Sequence, residues 1–413
     1  MRPPLLALAP PLKPARLQIL LLVALATAGC TESGQTANPG GQGGGAGQAG
    51  TNATASGAGG QAAAGAGGQG TGGQVAQAGA GGTAAGSGGQ STAGDGGSAG
   101  TTAGGNGGGP PQTTLGPAGF TCPAGPFAAP LEGDMEATLV RGDLGGELEG
   151  PAWLDSQQAL YFTQSGGGNA NGQINKYTPQ DDMLDVFVSS IGVGGLAVDT
   201  EGKLLAASYD KRSITRFDPV TMERSDVPGG DSYDGNPLNE VNDLVMRSDG
   251  NIYFSDPQYD SVPPGEEPMA FYRLSPAPES TVTLVLLADG SNGVALSPDG
   301  AFLYLGTTES GGGPVRRQAL NPDGSVNGSP TSWNEGSSDG MAMDCAGNLY
   351  ISTDGQIRVL SPNDEVLGNI TGLLSGGGYV TNSAFGDADH QTLYITTNTS
   401  LFKVHLGVPG FPN

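Results

Sequence analysis

Histidine is nearly absent from this chain: His390 and His405 are the only two. A metal centre built on three imidazoles is therefore excluded. Cysteine is almost as scarce, with Cys30, Cys122 and Cys345 the full complement. No two of them stand at knuckle spacing, so no cysteine-bound zinc module is encoded. Basic residues are few, 16 Lys and Arg against 40 Asp and Glu, for a formal net charge of −24 at pH 7. Binding in a nucleic-acid groove needs a basic face, which this balance does not supply. Most of these carboxylates read as solvated surface; the acidity is compatible with a bound cation but does not require one. Long apolar runs are missing apart from residues 17–28, and no segment carries the period of a long amphipathic helix.

That one run follows Arg2, Lys13 and Arg16. It reads as the h-region of an export signal, too short for a membrane span. It ends at Thr27-Ala28-Gly29-Cys30, which resembles a bacterial lipobox and implies lipidation of Cys30. Thr31, rather than Asp, follows the cysteine, which by the same resemblance implies an outer-membrane or cell-surface lipoprotein; ordinary cleavage and a periplasmic or secreted product is the alternative. Residues 1–30 are thus expected to be a signal peptide. Residues 31–117 are Gly, Ala, Ser, Gln and Thr, with Glu32 and Asp95 as the only acidic side chains. Such a stretch buries too little to offset its ordering entropy, so it is expected to be a disordered tether with a coil span of roughly 50 Å. Its GxGxxG-like strings follow no strand and carry no phosphate-binding weight.

Residues 118–413 hold six copies of one pattern: an apolar strand, a tight turn and a second apolar strand. The copies start at Glu149, Gly194, Asn242, Asn292, Asp339 and Asn382, 45, 48, 50, 47 and 43 residues apart. That period, with several strands per unit, predicts an all-β fold, a six-bladed β-propeller of four-stranded antiparallel blades. Asp-Gly and related turns join the first two strands of each copy. The sixth copy is one strand short, and an orphan strand at residues 137–141 is expected to pair beside 401–406 and close the ring. The inner strands face a central channel, so their heads converge on its axis. Five of the six heads carry a side-chain oxygen, the donor that a hard cation takes. The same polarity also serves simply to hold channel water. The loops at 165–173, 209–212, 256–268 and 309–314 return to the end where the heads lie and are expected to wall a substrate site. Trp333 is placed near that mouth and Trp153 in the core behind Glu149. Cys122 and Cys345 form an even pair in an exported domain, which predicts a disulfide on the opposite face.

Four motifs then carry a resemblance: Glu149-Gly-Pro-Ala-Trp; Asn242-Asp-Leu with Ser248-Asp-Gly-Asn-Ile-Tyr-Phe-Ser-Asp256-Pro; Asn292-Gly-Val-Ala-Leu-Ser-Pro-Asp-Gly; and Ser338-Asp339-Gly-Met-Ala-Met-Asp. In order and spacing they resemble the senescence marker protein/gluconolactonase/luciferin-regenerating-enzyme family, over about 120–406. The resemblance implies a divalent-metal-dependent lactonase acting on a small lactone or ester, typically a sugar lactone. It implies Glu149, Asn242, Asn292 and Asp339 as metal ligands, Ca²⁺ first and Zn²⁺, Mg²⁺ or Mn²⁺ as alternatives. It further implies Asn242 as a substrate contact and Asp339 as the general base. Animal members carry Arg where this chain has Glu240, so Glu240 marks a departure in the substrate contacts; Arg212, or Lys211 beside it, is the cation available to replace that Arg.

The two histidines fall in a turn and in the last strand, away from the heads, which disfavours a Ser-His-Asp or histidine-dyad mechanism. Two other readings stay open on the residues alone. One is a metal-free propeller enzyme, against which Asn242, Asn292 and Asp339 together speak. The other is a surface-displayed binding propeller, with calcium as a structural pin and no catalysis, which the Glu240 departure favours. A monomer is expected.

Overall fold

In the second to fifth copies the turn after the first strand is shaped by one carboxylate and one glycine. Asp199 Oδ1 accepts the N–H groups of Glu201 and Lys203, both at 2.8 Å. Asp344 Oδ1 does the same for Ala346 and Asn348, both at 2.9 Å. Such Asx turns reverse the chain without help from elsewhere. Gly250 and Gly347 sit at φ of 90° and 83°, a conformation that side chains with a Cβ rarely adopt. Apolar strands on either side of each turn then pair as hairpins.

The computed structural model describes residues 119–412, apart from 167–169, 260–266, 309–312, 335, 354 and 375–377. These belong to the compact unit Ser98–Asn413. The signal, Cys30 and the tether lie outside them, as do parts of three expected wall loops. The architecture is all-β: six antiparallel four-stranded blades in sequence order, with the sixth completed from upstream. The innermost strands are Leu148–Leu154, Leu196–Val198, Leu244–Met246, Ser291–Leu296, Met341–Asp344 and Val380–Gly386. They are buried almost throughout, whereas outer strands such as Met183–Ile191 and Val366–Thr371 are largely exposed. This gradient across each blade fixes where the axis runs.

The core lies between the blades. Six hydrophobic clusters are present among the described residues, one for each neighbouring pair of blades. Between the last and first blades, for example, Tyr394 and Leu401 pack on Trp153, Leu160 and Phe162. Trp153 stacks on Tyr394 at 6.1 Å, as expected for a core side chain. A ring stabilised by six such seams has to close, and the expected orphan strand closes it: Thr138–Arg141 runs antiparallel to Leu401–His405, pairing Thr138 with Lys403 and Leu139 with Phe402.

Three features differ from the sequence reading or add to it. Met135–Glu136 runs parallel to the outer strand of the fifth blade. The tail after the last strand returns as Gly410–Phe411 and pairs with the innermost strand of that same blade, Phe411 opposite Met343. Trp333 is not among the residues lining the cavity beside Asp339. It lies in the outer strand Thr331–Asn334, buried against Tyr304 at 5.7 Å and capped by the Arg317 guanidinium at 3.8 Å. The sequence did not distinguish an outer strand from a wall loop there.

At the hairpin end, Cys122 and Cys345 are joined by a disulfide, with Cα atoms 5.4 Å apart. Cys345 N–H donates to Pro409 O at 2.8 Å, and Gly410 N–H to His390 O at 2.7 Å. Phe120 packs on the His390 ring at 4.6 Å. The upstream segment and the tail therefore meet on the face opposite the strand heads.

Candidate active site in the channel mouth

Three of the strand heads sit at irregularities in the ladder. The pairing of the innermost strand with its neighbour shifts between Glu149 and Ala152, between Ser291 and Val294, and between Val380 and Ser383. Such bulges twist a strand and re-aim its side chains, here Glu149, Asn292 and Asn382. The residue after the head is glycine in four copies because neighbouring chains crowd it. A Cβ on Gly340 would come within 2.0 Å of Asn382 Cγ, and one on Gly293 within 2.2 Å of Asp339 O. Backbone bonds between blades fix the heads further: Gly340 N–H donates to Thr381 O at 2.7 Å, and Gly195 N–H to Asn242 O at 2.6 Å.

Asp339 lines a cavity of about 240 Å³ with Thr308, Ser337, Ser352, Thr353 and Tyr379 among its walls. Asn292 Nδ2 donates to Asp339 Oδ1 at 2.6 Å. Glu149 Oε2 accepts the Gly150 N–H at 3.0 Å. Burial pushes the Glu149 carboxyl well above its ordinary range, and the charges of Asp339, Glu147 and Asp243 push it the same way. Asp339 is also raised, by burial and then by Glu147 and Asp243. Neither carboxylate has an ion-pair partner among the described residues. Two desolvated carboxylates raised by neighbouring like charges are the environment a cation relieves.

The donors suit a hard divalent ion: two carboxylates and the carboxamide oxygen of Asn292, which its bond to Asp339 leaves free. No group of three or more His, Cys, Asp or Glu side chains is gathered among the described residues. The set therefore relies on carboxamides, and it fits calcium better than a thiolate- or imidazole-loving metal.

The remaining expected residues divide. Asn242 is half-buried at the head of its blade, its N–H bonded to Ser255 O at 3.0 Å. Gly194 leaves the second blade without a side chain; a Cβ there would meet Asn242 O at 2.4 Å. Glu240 is buried, and its Oε2 accepts the Tyr259 N–H at 3.0 Å. Arg212 Nε donates to the Leu238 carbonyl. Asn382 is buried and accepts the Ser383 N–H at 2.8 Å. Its side chain also bonds Asp243, whose carboxyl burial pushes up to about 7. His390 lies at the far face, Nε2 3.1 Å from Asp155 Oδ1.

Four residues of the mouth were not singled out from sequence. Tyr259 OH bonds Thr308 Oγ1 at 2.8 Å. Tyr379 OH donates to Glu147 Oε1 at 2.5 Å. Glu147 stands two positions before Glu149, just ahead of the strand Leu148–Leu154; that period-2 spacing was the available signal.

The SMP-30/Gluconolactonase/LRE-like family model matches residues 148–399, so it spans all six heads. The chain belongs to this family. It is 30% identical over 291 residues to a gluconolactonase of Zymomonas mobilis, covering 62% of this chain and 77% of that one. It is 25% identical over 259 residues to a pentonolactonase of Haloferax volcanii, covering 60% and 80%. A gluconolactonase structure from Xanthomonas campestris superimposes with TM-score 0.57 at 26% identity, covering 70% of this chain and 98% of that one. A calcium-binding regucalcin of Agrobacterium tumefaciens, TM-score 0.54 at 16% identity over 67% and 96%, shares the fold.

Proposed function

We propose that this protein hydrolyses lactones, sugar lactones foremost, with a divalent cation held by Glu149, Asn292 and Asp339 and by Asn242. The observation that carries the proposal is the half-buried Glu149 and Asp339 at the channel mouth, without an ion-pair partner among the described residues, with Asn292 bonded to Asp339. The named activities of the two curated relatives support the reaction class. Calcium is the proposed ion, on the all-oxygen donor set.

When bound, the cation polarises the lactone carbonyl as a Lewis acid. Asp339 accepts the proton of the attacking water; Asn292 occupies one of its oxygens and orients the other. As the ring oxygen departs, that proton is available to the leaving alkoxide. Glu149, oriented by the Gly150 N–H, supplies charge rather than proton transfer. Asn242 contacts substrate from the third blade. Glu240 and Arg212 act by holding the wall, through Tyr259 N–H and Leu238 O respectively. We also propose that the domain is exported and anchored through lipidated Cys30. Azido-fatty-acid labelling that survives Cys30→Ala would overturn that part.

The test of the reaction is acid release from D-glucono-1,5-lactone and a pentonolactone by cation-supplemented protein. Ring opening above the spontaneous rate is expected. No release from any lactone or simple ester, with any divalent ion, leaves the binding-propeller reading instead, which the buried Glu240 in place of the animal members' Arg favours.

A further inference from the structure

Among the described residues, the charges that act on the two proposed carboxylate ligands are all of one sign. They are carboxylates: Asp339, Glu147 and Asp243 act on Glu149, and Glu147 and Asp243 on Asp339. Those acting on Tyr259 and Tyr379 are again Glu147, Glu149 and Asp339. The nearest basic candidate, Arg212, is turned to the Leu238 carbonyl. Two tyrosines stand at this rim, Tyr259 at 45% and Tyr379 at 43% exposure, and each offers an aromatic face to solvent. Tyr379 is also part of the cavity wall beside Asp339. Its hydroxyl donates to Glu147 Oε1 at 2.5 Å, so the carboxylate is held at the rim, with its other oxygen taking no bond among the described residues. An acceptor beside an aromatic face suits a ring that carries hydroxyl groups, because the hydroxyl donates while the C–H face packs. A substrate carboxylate or phosphate at the same place would meet a fixed like charge.

Resting on the lactonase reading above, we propose that Glu147, positioned by Tyr379, is a specificity-determining residue that accepts a hydroxyl from uncharged polyhydroxylated lactones and rejects lactones bearing a negative charge. Glu147 takes no part in proton transfer.

The experiment compares D-glucono-1,4-lactone with D-glucaro-1,4-lactone, which share a ring and differ in whether C6 is an alcohol or a carboxylate. Full-length, calcium-supplemented protein is assayed at fixed pH and low salt. The wild type is expected to favour the neutral lactone by at least tenfold in kcat/KM, mostly in KM. Glu147→Gln removes the charge and keeps an acceptor. It should shrink that ratio by roughly three- to tenfold, the size of one charge acting a few ångströms away near the surface. Tyr379→Phe frees the carboxylate without removing its charge, so it should raise KM for the neutral lactone and move the ratio less. A ratio unchanged in Glu147→Gln overturns the proposal while leaving lactone hydrolysis intact. Wild-type indifference to the C6 charge does the same. Turnover of neither lactone overturns the lactonase reading, and this inference with it.

Discussion

Replacing Asp339 by Asn should move stability and function in opposite directions. The substitution conserves shape, and Asn can still present an oxygen to Asn292 Nδ2, now 2.6 Å from Asp339 Oδ1. What it removes is one of two buried charges. As a general scale, two ionised carboxylates about 5 Å apart at an effective dielectric near 20 repel by about 3 kcal/mol. Part of that strain is already avoided because burial raises both groups, so a gain of about 1–2 kcal/mol at pH 8 is expected in the cation-free protein. For a domain of this size that is a rise of several degrees in melting temperature. With calcium added, the order should reverse: the wild type gains stability by binding, and the variant gains much less. Turnover of a lactone should fall by about 10²-fold or more, as for a lost general base. Thermal unfolding in excess chelator and across a calcium titration, beside pH-stat kinetics, gives all three quantities. A variant that melts lower than wild type in chelator, yet keeps the same calcium-induced shift, would refute the reasoning.

Gly340→Ala should destabilise by more than about 2 kcal/mol and lower activity, since the new Cβ has Asn382 Cγ only 2.0 Å away; Gly142→Ala, with its nearest neighbour at 3.5 Å, should change melting by less than about 0.5 kcal/mol. Cys122→Ser opens a bond that spans 223 residues and should lower stability by about 3 kcal/mol while leaving kcat at 25 °C in place, because the bond lies at the far face; a kcat loss at unchanged melting temperature contradicts that. In chelator, melting should fall between pH 5 and pH 8. Burial pushes Asp256 and Asp344 up to about 6 and Asp243 to about 7. A raised folded-state pKa contributes stability that is full below the unfolded value of 3.8 and is lost as pH rises through 6 to 7. A melting temperature that climbs over that interval contradicts this sign.

The blades were legible because a repeat multiplies a weak signal. Glu149, Asn292 and Asp339 are ordinary residues alone, but equivalent positions in six copies had to converge on an axis. The closing strand was legible for a related reason: a ring of interblade seams cannot leave one blade unfinished. Gly410–Phe411 was not, since two residues flanked by Pro409 and Pro412 carry no period. Tyr379 and Tyr259 escaped notice because a tyrosine in a loop has no spacing that aims it, and its partner Thr308 or Glu147 is distant in sequence. The place of Trp333 in an outer strand was not legible because chain order does not distinguish an outer strand from a loop over the mouth. The bulges at Glu149, Asn292 and Asn382 were likewise hidden: pairing register belongs to two strands at once, and it is what turns those side chains toward the channel.

The central claim is that one cation, held by Glu149, Asn242, Asn292 and Asp339, supports lactone hydrolysis. It is tested most directly by stripping the protein with chelator and measuring calcium binding and lactone turnover on the same titration. One ion per chain is predicted, with rate rising in proportion to occupancy and Glu149→Gln shifting both curves together to higher calcium. Full turnover in the stripped protein, or stoichiometric binding with no change in rate, would contradict it.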